Sequence, residues 1–412
     1  MPLSSDNFSS DISKKTALPP QVLRPTFAEI SRSALIKNIS LIKSKAKNAK
    51  ILAVVKANGY GHGADIVAPV IERYVWGFGV ATVEEGIALR KVVTQKPVLV
   101  LGALWPFEKN FEAALENRLI PTVSSFMGLE ALEKTARRIY GKMPRETDFF
   151  LKIDTGMGRI GLKWDSPEVP RIFEHLKKDA GKILRCEGVY THFSSADFDA
   201  VYTREQYKRF SSLLRYVVGN VPSHRRPFFS ASNSAGIFFH PGFNMDIVRP
   251  GISIYGLQPS ADKKVKGLVP ALSWKTRVVF LKKIKRGEPV SYGGTYRAPR
   301  TPTIIATLPV GYADGYRRSL SNKAEVLIRG IRVPVVGRVT MDMIMADVSD
   351  LRGRVSVGDE VVLIGRQGND IITAEELASR ATEGTCGVEG GGTINYEITC
   401  GISGERVPRI IV

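Results

Sequence analysis

The chain has few cysteines and no long apolar run. Three of its 412 residues are cysteines (Cys186, Cys386 and Cys400), and none forms a CxxC pair, which excludes a disulfide framework and favours a reducing, cytoplasmic compartment. No stretch approaches the roughly 18 uninterrupted apolar residues of a membrane-spanning helix, so a membrane-spanning protein is excluded. Residues 1–24 lack the apolar segment of a secretory signal and are expected to form a disordered lead-in.

Acidic residues are also scarce. They number 40 against 59 lysines and arginines, a formal net charge of +19 at pH 7. Such an excess would suit a nucleic acid or an acidic surface as partner. The basic residues are spread along the chain, however, and no cluster alternates with aromatic residues as in an RNA-binding sheet. We therefore expect a solvated basic surface that attracts small anions, and no nucleic-acid partner.

The first 258 residues alternate short apolar runs with helical patterns such as Phe107–Asn117. After a short strand at Thr26–Ile30, this alternation predicts a (β/α)8 TIM barrel within residues 25–258, an α/β fold. A doubly wound sheet is the alternative, but Gly59–Gly63 lacks the GxGxxG spacing of its phosphate-binding turn. The eight candidate barrel strands are Ile51–Val55, Trp76–Val80, Pro97–Leu101, Leu119–Val123, Phe149–Ile153, Gly188–Thr191, Phe228–Ser230 and Asp246–Tyr255.

The pattern changes after Gln258. A polar, lysine-rich linker is followed by β-branched runs that alternate with glycine and proline turns. One segment of this region, Thr373–Ala381, has a convincing helical pattern, with Thr373 as N-cap and Glu376 at the capping-box position. We therefore predict a mostly-β C-terminal domain over residues 259–412.

One lysine directly follows an apolar strand. Lys56 comes after Ile51–Val55, and the carboxyl ends of barrel strands carry catalytic groups. A lysine on an apolar platform can have a lowered pKa and form a Schiff base. By position alone, a lysine that ends a strand and extends into water is the more common alternative.

The segment Lys56–Gly63, which reads KANGYGHG, resembles the pyridoxal-phosphate lysine motif of the alanine racemases, a fold-type III barrel family. The resemblance implies an enzyme that uses pyridoxal 5′-phosphate (PLP) to interconvert L-alanine and D-alanine for peptidoglycan, as a homodimer with shared active sites. A broad-specificity amino-acid racemase of the same fold is the alternative. Further matching segments are Lys152–Gly161, Tyr190–Phe193, Ser232–Ala235, Arg249–Ile252, Tyr255–Gly256, Val290–Gly293, Gly311–Tyr316, Gly337–Asp342, Ile394–Glu397 and Arg406–Arg409.

The resemblance implies which groups transfer protons. Lys56 would hold PLP and act as the base on one face of the substrate, while Tyr292 of the partner subunit would act on the opposite face. An ordinary phenol has a pKa of about 10, so this role needs cationic neighbours or hydrogen bonds that favour phenolate. Arg159 and His192 match family positions that supply part of this environment.

Other matches concern the cofactor. Arg249 matches the arginine that donates to the pyridine nitrogen of PLP. Because an arginine does not readily yield a proton, the ring would stay unprotonated, which favours racemisation over transamination. Related decarboxylases of basic amino acids have an acidic residue there. The positions that match phosphate-binding groups are Tyr60, Ser234, Gly251, Ile252 and Tyr396.

Matches also exist for substrate binding. Arg159 and the backbone near Met341 would take the substrate carboxylate. In many family members the lysine at position 152 is carbamylated and positions this arginine; a free amine or a neighbouring anion such as chloride is the alternative for Lys152. The substrate access route would be lined by Tyr292, Tyr312, Tyr396, Asp197, Arg318 and Arg338.

Two features depart from the family pattern. Ser230 stands where a histidine often supports the pyridine arginine, which leaves the support of Arg249 open. The stretch Glu383–Gly392 is longer and richer in glycine than expected, and it predicts a flexible loop near the phosphate site. His62 and His192 lack metal-ligand spacing, so no metal is expected.

Overall fold

The computed structural model describes residues 23–141, 146–178, 182–383 and 393–412. The chain divides into two compact units. One comprises residues 33–269, and the other combines the N-terminal segment with residues 270–412. The division therefore differs from the predicted one in two ways: it falls after Val269, and the first strand, β1 (Phe27–Ile30), belongs with the C-terminal unit.

The predicted lead-in lies outside the described residues, except for Leu23 and Arg24. The Arg24 guanidinium donates to the carbonyl oxygen of Pro309 at 2.9 Å and lies 2.6 Å from the Asp314 carboxylate. These contacts explain why the segment before β1 is held by the C-terminal unit.

A closed barrel of parallel strands forms the unit of residues 33–269. Strands pair in the orders β10–β2–β3–β4 and β5–β6–β8–β9, and a parallel bridge between Leu99 and Ile120 joins the two sets. A hydrogen bond from Arg249 N to Ser232 O at 2.9 Å links the ends that follow β10 and β9. The predicted TIM barrel is confirmed. Its strands are β2 (Lys50–Val54), β3 (Gly77–Val80), β4 (Val98–Val100), β5 (Thr122–Val123), β6 (Thr147–Asp154) with the short β7 (Leu162–Lys163) beside it, β8 (Leu184–Tyr190), β9 (Phe228–Ser230) and β10 (Ile247–Val248).

Helices follow most of these strands, and several of the helices start at a side-chain N-cap. Thr82 Oγ1 accepts from Glu85 N at 3.3 Å at the start of α4, and Ser125 Oγ accepts from Gly128 N at 3.0 Å at the start of α6. The helices of this unit are α1 (Arg32–Ala46), α2 (Lys56–Tyr60), α3 (Ala64–Ile71), α4 (Val83–Arg90), α5 (Phe107–Glu116), α6 (Phe126–Tyr140), α7 (Glu168–Leu176), α8 (Ala200–Asn220) and α9 (Ser234–Phe239).

The barrel interior is filled by apolar side chains from different strands. Leu52, Leu99, Phe150, Tyr190 and Ile247 form one buried cluster, each at most 2% exposed. Burying these side chains is the main source of stability for such a fold. The packed interior leaves the strand ends as the places where polar side chains can gather.

The C-terminal unit is mostly β. Its largest sheet has the order β17–β16–β19–β11–β1–β21, with β20 beside β19, and β1 pairs antiparallel with β11 and parallel with β21. The strands are β11 (Leu272–Arg277), β12 (Phe280–Ile284), β13 (Pro289–Val290), β14 (Tyr296–Arg297), β15 (Thr303–Leu308), β16 (Glu325–Ile328), β17 (Ile331–Pro334), β18 (Ile344–Asp347), β19 (Glu360–Gln367), β20 (Asp370–Ile372) and β21 (Arg409–Ile411).

Two helices belong to the described part of this unit. The predicted one is α10 (Ala374–Thr382), where Thr373 Oγ1 accepts from Glu376 N at 3.0 Å. The other, α11 (Asn395–Cys400), was not predicted, because its six residues are too few to show a helical period. In the described ranges, no helix is both long and apolar enough to cross a membrane.

Candidate active site

Lys56 lies two residues beyond β2, at the carboxyl end of this barrel strand. It opens α2, which is a left-handed turn because Ala57 and Asn58 have φ of 51° and 50°. Non-glycine residues rarely adopt this conformation. The Glu85 carboxylate supports the turn, since it accepts from the backbone N–H groups of Ala57 and Ala81 at 2.7 Å each.

Arg249 is buried beside the strand ends and is 4% exposed. Its guanidinium donates to Ser230 Oγ and to the carbonyl oxygens of Thr191 and Ala231, at 2.5 and 3.1 Å for the two carbonyls. Burial lowers the pKa of Arg249 to about 10. The group therefore stays charged at neutral pH. The support that the sequence left open is provided by Ser230, whose hydroxyl donates to Ile247 O at 2.6 Å.

Lys152 and His192 lie close to Arg249. Lys152 is 3% exposed and donates from Nζ to Ile153 O at 2.7 Å, while His192 Nδ1 lies 3.5 Å from an Arg249 nitrogen. Burial first, and then the charge of Arg249, lower the pKa of Lys152 to about 7. The same two causes hold the pKa of His192 well below its usual value. His192 is therefore neutral near pH 7, and Lys152 is partly so.

Three of the predicted phosphate-binding residues, which follow β2, β9 and β10, come together. Ser234 Oγ accepts from Gly251 N at 2.9 Å. A side chain at Gly251 would collide with the Tyr60 hydroxyl, so this hydroxyl lies directly against the Gly251 backbone. Ile252 follows and is 1% exposed. The hydroxyls of Tyr60 and Ser234 and the backbone at Gly251 suit a phosphate group, because hydroxyls and backbone N–H groups can bind an anion without a full counter-charge.

The loop that carries Arg159 is shaped by one carboxylate. Asp154 accepts from the backbone N–H groups of Gly156 and Met157 at 2.8 Å each and from Gly158 at 2.9 Å. Arg159 follows this turn, is exposed, and contributes to the lowered pKa of both Lys152 and His192. Asp197, half-buried, precedes α8 in the same unit.

The remaining predicted site residues belong to the C-terminal unit. Tyr292, Tyr312 and Met341 are 71%, 44% and 52% exposed. Tyr312 N donates to Thr340 O at 3.0 Å, and Ala313 N donates to Met341 O at 3.0 Å, so the loops of Tyr312 and Met341 are joined. Arg318 and Arg338 are exposed as well, whereas Tyr396, in α11, is half-buried.

A buried carboxylate supports these loops. Asp314 is fully buried; its carboxylate lies 2.6 Å from Arg24 and 3.0 Å from Arg406. Arg406 also lies 2.6 Å from the Asp342 carboxylate, next to Met341. The sequence reasoning assigned no role to Asp314, Asp154 or Glu85. Asp154 and Asp314 lie within matching segments, whereas Glu85 lies outside them. The role of each depends on the groups that its carboxylate faces in the folded chain.

Residues 384–392, including Cys386, lie outside the described residues, so the predicted loop near the phosphate site stays a prediction. In the part of the chain that the structure describes, no group of three or more His, Cys, Asp or Glu side chains could hold a metal ion.

Comparison with known proteins identifies both units. The family model described as alanine racemase, N-terminal domain, matches residues 30–259, and the model described as alanine racemase, C-terminal domain, matches residues 271–411. An alanine racemase of Symbiobacterium thermophilum is 47% identical over 395 residues, which cover 94% of this chain and 97% of the relative. An alanine racemase of Halothermothrix orenii is 43% identical over 395 residues, which cover 94% of this chain and 97% of that relative.

Solved structures agree with these relatives. The crystal structure of alanine racemase from Bacillus anthracis with bound L-Ala-P has a TM-score of 0.83 and 35% identity, and the match covers 95% of this chain and 96% of that one. The alanine racemase of Clostridium difficile in complex with cycloserine has a TM-score of 0.83 at 32% identity, with the same coverage. The similarity spans both units.

Proposed function

Since the chain belongs to the alanine racemase family, we propose that it interconverts L-alanine and D-alanine with PLP bound through Lys56. The observation that carries this proposal is the position of Lys56 at the carboxyl end of a barrel strand, in a unit that also gathers the buried Arg249 and the hydroxyls of Tyr60 and Ser234. PLP supplies an electron sink for the charge that develops when the α-proton of the substrate leaves.

The residues present fit this cofactor. Ser234, Tyr60 and the backbone at Gly251 would hold the phosphate, together with Ile252 and Tyr396. Arg249 would face the pyridine nitrogen, because it is a buried donor that has no acceptor atom and keeps its charge at neutral pH. It cannot readily supply a proton to the ring, which suits rapid return of a proton to the substrate carbon.

Racemisation needs a proton-transferring group on each face of the substrate. We infer that the Lys56 amine serves one face and the phenol of Tyr292 the other. Tyr292 is 71% exposed on its own unit, as expected of a side chain that reaches into another chain. We therefore propose a homodimer in which Tyr292 of the partner subunit completes the site, with Arg159 and the neutral His192 in the surroundings of the phenol.

The proposal extends to substrate recognition. The exposed Arg159 would bind the substrate carboxylate together with the backbone near Met341. The access route would be narrowed by tyrosines, and this limits the size of the side chain, although each added methylene is discriminated by only about 1–3 kcal/mol in an apolar pocket. The residues proposed to line the route are Tyr292, Tyr312, Tyr396, Asp197, Arg318 and Arg338.

Lys152 is proposed to be carbamylated. Its buried amine has a pKa of about 7, so a large share of it is the neutral nucleophile that attacks carbon dioxide. In this step the amine nitrogen forms a bond to carbon as one C=O π bond of carbon dioxide opens onto oxygen, and the proton lost from nitrogen passes to water. A carbamate anion remains near the cations Arg249 and Arg159. Electron density beyond Nζ of Lys152 in a crystal structure would support this modification. Density that ends at Nζ in crystals soaked with saturating bicarbonate would contradict it.

The test of the function is racemisation by purified, PLP-loaded protein of a panel containing alanine, serine, lysine and arginine. We expect kcat/KM to be highest for alanine and Lys56→Ala to abolish turnover. A comparable kcat/KM for lysine or arginine would favour the broad-specificity alternative. No turnover of either alanine enantiomer would contradict the proposal.

We further propose that the enzyme supplies D-alanine for peptidoglycan in the cytoplasm. The chain has three cysteines in 412 residues, too few for a disulfide framework, as is usual in a reducing compartment. Growth of a D-alanine-requiring bacterial strain that expresses this chain, without added D-alanine, tests the proposal. Failure to grow, with the active enzyme present, would contradict it.

A further inference from the structure

Ser291, directly before Tyr292, has a backbone conformation that is nearly restricted to glycine. Its φ is 64° and its ψ is −174°. A residue with a side chain persists in this region only where the surrounding structure holds it, and such residues occur most often at functional sites. Two contacts hold the backbone of Ser291 next to Tyr292.

The first contact is made by the side chain of Ser291 itself. Its hydroxyl donates to the carbonyl oxygen of Arg338 at 2.6 Å. Arg338 also lies beyond Tyr292, because its guanidinium carbon is 3.3 Å from where a Cβ on Gly293 would stand. The segment around Arg338 thus touches the chain on both sides of Tyr292.

The second contact is a close approach of two backbones. A Cβ on Gly337 would lie 2.7 Å from Val290 O and 2.9 Å from Ser291 Cβ, so this position accepts no larger residue without a shift. Gly337 N in turn donates to the side chain of Asn322 at 2.5 Å. The amide of Asn322 donates to Thr295 Oγ1 at 3.1 Å, three residues after Tyr292.

The ring of Tyr292 has little packing of its own. It is 71% exposed, so contacts within its unit contribute little to its direction. That direction is set by the backbone on which it stands. We propose that Ser291 is a positioning residue for Tyr292: its hydrogen bond to Arg338 O holds the backbone conformation that aims the phenol. This inference rests on the proposed function, because Ser291 acts through the proton transfer of Tyr292.

The proposal separates two reactions of the same enzyme. Racemisation uses both faces of the substrate and therefore needs Tyr292. Exchange of the α-proton with deuterated water, with retention of configuration, needs only Lys56 and occurs for one alanine enantiomer. A displaced phenol slows the first reaction and spares the second, whereas general damage to the site slows both.

The experiment measures both reactions in PLP-loaded enzyme for Ser291→Ala, Gly337→Ala and Tyr292→Phe. Ser291→Ala removes the hydrogen bond, and Gly337→Ala displaces the same backbone in a chain that still has the Ser291 hydroxyl. We expect kcat for racemisation to fall by about 10- to 100-fold in both, as for a misplaced catalytic group. Exchange with retention should change little, the pattern also expected of Tyr292→Phe.

Gly353→Ala is the matched control. Gly353 has the same φ as Gly337, 75°, but no heavy atom lies within 4 Å of a Cβ built there. Gly353→Ala therefore introduces a side chain at the same φ without a collision. The racemisation rate of this variant should be unchanged. Thermal unfolding identifies any variant that fails to fold. If either Ser291→Ala or Gly337→Ala does not fold, the other of these two variants tests the inference.

The outcomes are distinct. An active wild-type enzyme with unchanged kcat in Ser291→Ala and Gly337→Ala would overturn the inference. So would a parallel fall of racemisation and exchange in folded variants, since this indicates general damage. If the wild-type enzyme racemises no alanine, the proposed function itself fails and the inference with it.

Discussion

The buried guanidinium of Arg249 donates to the hydroxyl of Ser230, and this hydroxyl donates onward to Ile247 O at 2.6 Å. The serine therefore gives a buried cation an acceptor that would otherwise have to come from a larger side chain. Arg249 keeps its remaining contacts with the carbonyl oxygens of Thr191 and Ala231. Ser230 thus provides the support of Arg249 that the sequence left open.

Ser230→Ala should lower the free energy of unfolding by about 1–3 kcal/mol, because it leaves a buried donor of a charged group without its acceptor. The affinity for PLP should fall as well, since Arg249 can then turn away from its place. Urea unfolding and titration with PLP measure the two effects. Ser40→Ala is the control: its hydroxyl makes a 2.8 Å bond to Ile36 O on an exposed helix face. Equal effects of the two variants would contradict this role of Ser230.

Glu85→Gln should loosen the turn that begins at Lys56. The carboxylate accepts from two backbone N–H groups, of Ala57 and Ala81, and a glutamine would turn its NH2 group toward one of them. We expect a loss of about 1.5–3 kcal/mol in the free energy of unfolding, as for hydrogen bonds to charged groups, and faster release of PLP. Glu130→Gln, at an exposed position of α6, is the control and should change neither quantity. Unaltered PLP release in Glu85→Gln would show that the carboxylate does not hold the turn.

The pKa of Lys152 makes stability depend on pH. In the folded protein the amine loses its proton near pH 7, while in the unfolded chain it keeps it to about 10.5. The unfolded state therefore binds more protons between these values, and stability rises with pH there, by at most about 1.4 kcal/mol per pH unit. In carbon dioxide-free buffer, the difference in unfolding free energy between wild type and Lys152→Met should shift in favour of wild type from pH 7 to pH 9. A pH-independent difference would mean that Lys152 is charged when buried.

Two inactive variants should restore activity when mixed. Lys56→Ala lacks the group on one face of the substrate, and Tyr292→Phe lacks the group on the other. If the site is shared, one of the two sites in a mixed dimer combines Lys56 of one chain with Tyr292 of the other and is complete. Random exchange of subunits at equal amounts should recover about a quarter of wild-type activity, because half of the dimers are mixed and each has one working site of two. Racemisation after subunit exchange, verified with differently tagged chains, measures this. Absence of recovery would place Tyr292 in the site of its own chain or outside it.

Local patterns sufficed for the barrel. The apolar runs that predict its eight strands are short, and helical patterns separate most of them. Hydrophobic period and helix capping both act within a few residues of the chain. The same holds for α10, where Thr373 accepts from Glu376 N at 3.0 Å. The place of Lys56 at the carboxyl end of a strand follows from the strand itself, whereas its role was inferred from the resemblance of Lys56–Gly63 to a family motif.

The membership of β1 could not be read locally. Its partners are β11, where Phe27 lies opposite Lys275, and β21, where Ala28 lies opposite Arg409. Pairing over such distances in sequence depends on how the whole C-terminal unit folds. The sequence therefore predicted the strand correctly but assigned it to the barrel domain, whereas the structure places it in the large sheet of the C-terminal unit.

The sequence by itself determined the barrel strands, the mostly-β second unit and, through its motifs, the residue types at the site, because these depend on local period and on residue identity. The tertiary structure decided how they are supported: that the Ser230 hydroxyl accepts from Arg249, that burial brings Lys152 to a pKa of about 7, and that Ser291 adopts a φ of 64°. Each of these depends on groups far apart in sequence, so desolvation and long-range hydrogen bonds set them and no local pattern records them.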